Sequence, residues 1–514
     1  MGSVRNPLLE GFYPDPSICR AGEDYYIVNS TFSYAPGVPV FHSKDLAHWE
    51  QIGHVLVREE QLSLKGAGMS QGIYAPCIRY HKGTFYMITT NVSGGGNFYV
   101  TAKNPEGPWS APVYLKDAPG IDPSLYFEEE DCYYIGQRGK KDSKYYGDCE
   151  IWIQKLDLSK GELTGEVHVV WDGAMKNAIW AEGPHLYKKG DYYYVLIAEG
   201  GTGYEHSICF ARSKNIFGPY EACPYNPVFT HRHLGHNAKV QNVGHGDIVE
   251  TPEGFWYIVM LGTRPEEGYA PLGRETFFAE LVWENDWPIV NPGEGKLKEI
   301  QEVPSALERE VIALGNRRNI EWGDSLDHRC IFFRFPEKDM YRMEEGGILA
   351  LKALPQNIYD ELSPAYIGVR VTSKYFSIET TMEFTPYGRQ EAGLVYLYNE
   401  KNYVRFTVTT SDTVANGSKI RIIKTEREKE TVLFEEEAVA DCYRLKMHVK
   451  GLSLACIAEG RILQSTDIRG LTSEVAGGFV GCTMGVYATS NHEVHNGDYA
   501  RFTELILAAR HLTL

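Results

Sequence analysis

The chain's 514 residues are enough for two domains, and with 43% hydrophobic and 12% aromatic residues it can bury large cores, which excludes a disordered polymer. Its formal charge of −17 argues against nucleic acid or an anionic membrane as partner, since both demand basic surface, whereas a neutral substrate is compatible. Ten cysteines without paired metal spacing, no apolar signal region after Met1 and no membrane-length apolar run together predict buried thiols and a cytoplasmic address.

From the N-terminus onward, short aromatic strands recur with one grammar. They are Asp24-Tyr25-Tyr26-Ile27-Val28, Thr84-Phe85-Tyr86-Met87-Ile88, Cys132-Tyr133-Tyr134-Ile135-Gly136, Tyr192-Tyr193-Tyr194-Val195-Leu196 and Phe255-Trp256-Tyr257-Ile258-Val259. Successive markers Tyr26, Tyr86, Tyr134, Tyr194 and Tyr257 are 60, 48, 60 and 63 residues apart. Periods of this size, filled with short strands and turn residues, predict a β-propeller, and five copies predict five blades.

Each marker follows a second short segment, and four of these carry a residue of chemical interest. Asp15 lies 11 residues before its marker; Asp122, Glu182 and His245 each lie 12 before theirs. The first strand of every propeller blade lines the central channel, so equivalent positions converge on one axis. Any one of these acids alone would read as an ordinary surface group; their common phase with the repeat is what singles them out. Glu182, set among Trp180, Ala181, Gly183 and Pro184 with no Lys or Arg adjacent, is placed to stay protonated and serve as proton donor.

Between these segments, Asn104-Pro105, Gly107-Pro108 and Gly218-Pro219 punctuate the outer strands, and the fifth blade continues to Trp287-Pro288. A short helix is expected at residues 305–310. From about 320 the long repeat gives way to alternating strands such as Phe376 to Phe384, Tyr403 to Val408 and Tyr443 to Val449, the pattern of half-buried antiparallel strands. The expected organisation is all-β: a five-bladed propeller over 1–300, a linker over 301–319 and a β-sandwich over 320–514.

Three acids on one axis suit glycosidic bond cleavage, where one carboxylic acid protonates the leaving oxygen and one carboxylate activates water or attacks the sugar. A third acid can raise the donor's pKa by like-charge repulsion. Metal-assisted hydrolysis is the rival, but the set supplies only His245 and no His-Glu-x-x-His cluster occurs. No cofactor is required; one structural Ca²⁺ near the axis is compatible, with His245 its candidate ligand.

Phe12-Tyr13-Pro14-Asp15-Pro16-Ser17, Gly120-Ile121-Asp122-Pro123-Ser124, Ala181-Glu182-Gly183-Pro184-His185 and Pro271-Leu272-Gly273-Arg274-Glu275-Thr276 together resemble glycoside hydrolase family 43. The likeness is to its two-domain β-xylosidases and α-L-arabinofuranosidases, which carry a C-terminal concanavalin-like β-sandwich. The resemblance implies Asp15 as general base, Glu182 as general acid, Asp122 as the acid that tunes and orients Glu182, and inversion of the anomeric centre. It also implies sugar contacts from Arg274 and His245 and pocket walls from Phe32 and Thr202. Two departures stand out. Tyr74 replaces the tryptophan of a Gly-Gly-Ile-Trp-Ala-Pro segment, which weakens the case for pure β-xylosidase specificity, and the segment around Val486 to His495 is unusual, so Tyr487 or His492 is expected to press on the pocket.

The expected function is an inverting exo-glycosidase releasing terminal β-D-xylose or α-L-arabinofuranose from short xylan- or arabinan-derived oligosaccharides, acting without nucleic acid or membrane and free to form a homo-oligomer. Endo-arabinanase is the alternative within the fold, and a non-catalytic carbohydrate-binding propeller the alternative outside enzymes.

Overall fold

The computed structural model describes residues 2–303, 319–415, 417–438, 440–494 and 498–510. The protein is all-β. Its first region contains five four-stranded antiparallel sheets, each built within its own segment of chain from strands in sequence order, with the short strand Tyr34–Ala35 set aside from the first. Their first strands are Ser17–Ala21, Cys77–His81, Ile121–Glu128, Glu182–Lys189 and Gln241–Glu250. Each touches the next in that order, and the fifth returns to the first, so the five strands close a ring.

The aromatic markers all fall on second strands, paired with the ring strands: Tyr26 opposite Cys19, Tyr86 opposite Arg79, Tyr134 opposite Leu125, Tyr194 opposite Tyr187 and Tyr257 opposite Val249. Neighbouring sheets pack face to face. Ile135 and Ile151 of the third sheet meet Leu186, Val195 and Ile197 of the fourth, while Leu196 and Phe210 of the fourth meet Ile258, Met260 and Phe277 of the fifth. A sheet covered on both faces needs apolar residues on both, which is why the second strands read as nearly continuous apolar runs. Gly2–Arg5 pairs antiparallel with Ile300–Val303 and ties the start of the region to its end.

The second region stacks a six-stranded sheet against a nine-stranded one. Leu394, Tyr396 and Phe406 from the first meet Ile378, Leu445 and Met447 from the second in one core. Tyr375–Glu383 and Cys442–Lys450 show the expected alternation of buried and more open positions. Asn402–Thr410 does not: it is buried on both faces. Its polar Arg405 is accommodated there by ion pairs with Glu391 and Glu430, a compensation that hydrophobic alternation cannot reveal.

The regions share a core. Phe12, Phe32, Tyr34, Met69 and Leu272 of the first pack into the same apolar cluster as the second region's interior. Phe332–Phe333 adds a strand to Tyr34–Ala35, and Arg370 Nε donates to Phe12 O at 2.7 Å. The linker expected at 301–319 overlaps strand residues at both ends, Ile300–Val303 and Asn319–Ile320. Residues 304–318, including the short helix expected at 305–310, lie outside the described residues.

Candidate active site

The ring strands enter with bends that aim side chains inward. Asp15, Asp122 and His245 have left-handed backbone (φ 51°, 53° and 46°), as does Gly183 at 57°. Asp is among the few residues that adopt this conformation at small cost. From bend to first regularly paired residue the spacing is the same in three sheets: Asp15 to Ser17, Asp122 to Ser124 and Gly183 to His185. Glu182 therefore stands one residue before the position that Asp15 and Asp122 occupy, and its side chain is one methylene longer. A Cβ on Gly183 would lie 2.9 Å from the His245 ring, so only glycine lets these two strands approach beside Glu182.

Opposed environments surround the three acids. Asp15 is buried, which by itself favours the neutral form, yet Arg274, His245 and the Ser30 hydroxyl outweigh burial and hold its carboxyl below the ordinary range. Arg274 Nη1 donates to Asp15 Oδ1 at 2.8 Å, Ser30 Oγ donates to Oδ2 at 2.5 Å, and His245 Nδ1 stands 3.8 Å from Oδ1. Glu182 is pushed well above the ordinary range by desolvation first, then by repulsion from Asp122 and Asp15, with only Arg274 opposing. Asp122 is also pushed up by burial, but His245, the Gly183 N–H and Arg274 favour its anion. Two such carboxyls resist ionising together, and the proton rests on Glu182, which has less to stabilise its charge. No hydrogen bond reaches the Glu182 carboxyl among the described residues.

The walls come from both regions. Phe32 contacts Tyr74 at 5.2 Å between ring centroids, and Phe479 of the second region lies nearly parallel to Phe32 at 6.1 Å. Phe479 also meets Tyr74 edge-on at 6.1 Å, and its backbone carbonyl accepts from Arg274 Nη2 at 3.1 Å. Phe479 remains 40% exposed, so it lines open space rather than core. Beside it, Thr202, Tyr204, His236 and Arg274 border a cavity of about 370 Å³ that Asp15, Asp122 and Glu182 do not line. Tyr487 and His492, the side chains expected to press on the pocket, do not. Tyr487 is wholly buried in the sandwich and donates to Asn357 Oδ1, while His492 sits against Asn357 and Tyr359.

The sequence pattern of glycosyl hydrolases family 43 matches residues 4–288, and that of the β-xylosidase C-terminal concanavalin A-like domain matches 322–506. The chain belongs to glycosyl hydrolases family 43. It is 46% identical to a xylosidase/arabinosidase from Butyrivibrio fibrisolvens over 97% of this chain and 99% of that one. It is 36% identical to a non-reducing end α-L-arabinofuranosidase from Bacteroides ovatus, over 96% of this chain and 92% of that one. A crystal structure of a xylan β-1,4-xylosidase from Bacillus halodurans C-125 superposes with a TM-score of 0.90 at 32% identity, covering 98% of this chain and 99% of that one.

In this family 43 glycosidase, Thr202 stands 3.4 Å from Arg274 Nη1, and Tyr74 directs its hydroxyl to Ser70 O at 3.3 Å. Arg274 Nε and His206 Nε2 are buried polar atoms without a hydrogen-bond partner among the described residues. His206 was hidden in the Gly200 to His206 segment; its Nδ1 contacts Asn242 O at 3.0 Å, and burial pushes its pKa down to about 3, leaving it neutral. The residues around His245 do not fit a metal cage. Among the described residues no group of three or more His, Cys, Asp or Glu side chains is arranged to hold an ion, and Arg274 already neutralises Asp15.

Sequence reading also missed a second buried cluster further along the ring strands. Asp247, wholly buried, accepts from Ser17 Oγ at 2.6 Å, Ile18 N at 3.0 Å, Arg79 Nη1 at 2.7 Å and the Tyr187 hydroxyl. Arg79 Nη2 in turn donates to His185 Nδ1 at 2.8 Å. Asp247 lies two residues beyond His245, past a register shift between Gly244 and Gly246, so strand alternation did not single it out.

Proposed function

We propose that the five sheets form a five-bladed propeller whose axial acids hydrolyse the glycosidic bond of a terminal β-D-xylose or α-L-arabinofuranose with inversion. The closed ring of first strands supports the propeller. The observation that carries the chemistry is the opposite tuning of Asp15 and Glu182 within one cluster.

In the proposed reaction Asp15, kept ionised by Arg274 and Ser30, takes a proton from a water molecule. Each Asp15 oxygen still has a lone pair free beyond its present hydrogen bond. The water oxygen attacks the anomeric carbon as the bond to the leaving oxygen breaks, and Glu182 delivers its proton to that oxygen. Asp122 keeps Glu182 protonated through repulsion and takes no proton itself. Arg274, His245 and Thr202 offer polar contacts to the sugar hydroxyls, and Phe32, Tyr74 and Phe479 its apolar wall. The names of the relatives, xylosidase/arabinosidase and non-reducing end α-L-arabinofuranosidase, support a terminal pentose as substrate. Ten free cysteines, nine of them buried, support work in a reducing compartment on short oligosaccharides.

Hydrolysis of p-nitrophenyl β-D-xylopyranoside and p-nitrophenyl α-L-arabinofuranoside, side by side, tests the reading and ranks the two sugars. Turnover of at least one is expected, with loss in Asp15→Ala, and proton NMR of the first sugar released from an oligosaccharide is expected to show the inverted anomer. Turnover indifferent to Asp15→Ala, or a retained anomer, would refute this assignment of roles.

Exo action rests on Phe479. The shared core makes removal of residues 320–514 an unsuitable test, because it would strip the cover from Phe12, Phe32 and Tyr34. Phe479→Ala is expected to lower kcat/KM for terminal pentose release about tenfold, as loss of one aromatic wall would. Unchanged kinetics would remove Phe479 from the pocket.

A further inference from the structure

Two residues before Glu182, Trp180 occupies left-handed backbone (φ 56°), a conformation that a bulky side chain adopts only when its surroundings impose it. The surroundings are two loops. Trp180 N donates to Gly147 O at 2.8 Å, and the neighbouring Ile179 O accepts from Gly200 N at 2.9 Å. A Cβ on Gly147 would stand 3.2 Å from the indole Cε2 and Nε1, and one on Gly201 3.2 Å from Cδ1. The indole is thus held closely between the third- and fourth-sheet loops, with its inner edge against the core those sheets share.

Its outer edge is not covered. Tyr146, 81% exposed, meets Trp180 at right angles with centroids 5.2 Å apart, and the indole N–H has no partner among the described residues. The Gly147 segment, 140–150, and a further segment just before Trp180, 172–177, border a polar cavity of about 690 Å³. Its lining carries four lysines and four carboxylates, with Lys140 bridging Asp148 at 3.0 Å and Asp172 at 2.8 Å. Balanced charge of this kind offers donors and acceptors to hydroxyls without selecting a charged ligand.

We propose that Trp180 and Tyr146, with the cavity beside them, bind the leaving-group half of a neutral pentose oligosaccharide of three or more sugars. The inference rests on the glycosidase reading above. Glu182 must face the leaving oxygen, so the sugars that depart lie on its side of the broken bond, where Trp180 is the next aromatic along the chain. Aromatic faces suit the apolar faces of sugar rings, and the free indole N–H suits a hydroxyl.

The test is the ratio of kcat/KM for 1,4-β-xylotriose, or the matching arabinofuranoside, to kcat/KM for the glycosyl fluoride, whose leaving group is a single atom. Trp180→Ala is expected to lower this ratio about tenfold and Tyr146→Ala several-fold, with Trp180→Phe restoring part of it. Tyr146 is exposed enough for its replacement to leave folding intact, so a general loss of structure cannot imitate the result. A ratio unchanged in both alanine variants would overturn the proposal while leaving the glycosidase standing. A wild-type enzyme that releases no pentose from either substrate would overturn both.

Discussion

At Asp247 each carboxylate oxygen is engaged, and a guanidinium, two hydroxyls and a backbone N–H surround the charge. A few residues away along the same ring strands, the Glu182 carboxyl has no hydrogen bond among the described residues and shares its space with two other acids. Asp247 is wholly buried and Glu182 partly so, but the degree of burial is not what chiefly separates them. What separates them is completion: the Asp247 cluster is satisfied as folded and holds four sheets of the first region together, whereas the Glu182 carboxyl is left unpaired among the described residues. Unpaired, repelling groups in a cleft are where proton chemistry is affordable, because their protonation states are far from those of free carboxyls.

The widest separation of the two clusters is expected in activity. Glu182→Ala should lower kcat/KM on an unactivated oligosaccharide by about 10²–10⁴-fold, the range for loss of a general acid, with little loss of stability. Asp247→Ala should do the reverse: it strands Arg79, whose side chain is 15% exposed, and should lower unfolding free energy by about 3–5 kcal/mol in a denaturant titration, while the folded fraction keeps its rate. If Asp247→Ala abolished turnover at full stability, the division between completed and incomplete clusters would be wrong.

How much of this was legible in the sequence follows from the same division. The aromatic markers and the three acids were readable because a repeat fixes both the strand positions and the inward direction of the residues before them. That Glu182 holds its proton was expected from its uncharged neighbours, and desolvation with two acids beside it pushes its carboxyl up. That it sits one residue off the position of Asp15 and Asp122 was not, because hairpin and bulge lengths compensate in a residue count. Phe479 was invisible for a different reason: it belongs to no repeat, and its contact with Phe32 is made across more than four hundred residues of chain. Tyr487 was expected there because it stands in the unusual Val486 to His495 segment, where the family it resembles presses an aromatic on the pocket; here that tyrosine fills the sandwich core. Asp247 and Arg79 pair across sheets whose relative rotation no local pattern encodes.

Smaller, but sharper in sign, is the difference in response to pH. Asp247 is held down at about 2, so the stability it contributes is complete above the ordinary carboxylate pKa of 3.8 and is lost as pH falls from there towards 2. Glu182 is held up, so the folded state binds its proton more tightly than the unfolded chain, and its contribution becomes destabilising as pH rises above 4.5. Glu182→Gln should therefore raise thermal stability at neutral pH and leave stability at pH 4 nearly unchanged, whereas Asp247→Asn should flatten only the acid side of the curve. On the proposed mechanism, the rising limb of kcat/KM against pH is expected to belong to Asp15, ionised in the active form, and the falling limb to Glu182, protonated in it. Asp122→Asn removes a negative neighbour that keeps Glu182 protonated, so the falling limb should move to lower pH while the rising limb stays below the ordinary carboxylate range under the hold of Arg274. A falling limb that stayed in place would mean that desolvation alone sets the proton on Glu182, and Asp122 would then be a positioning group without an electrostatic part.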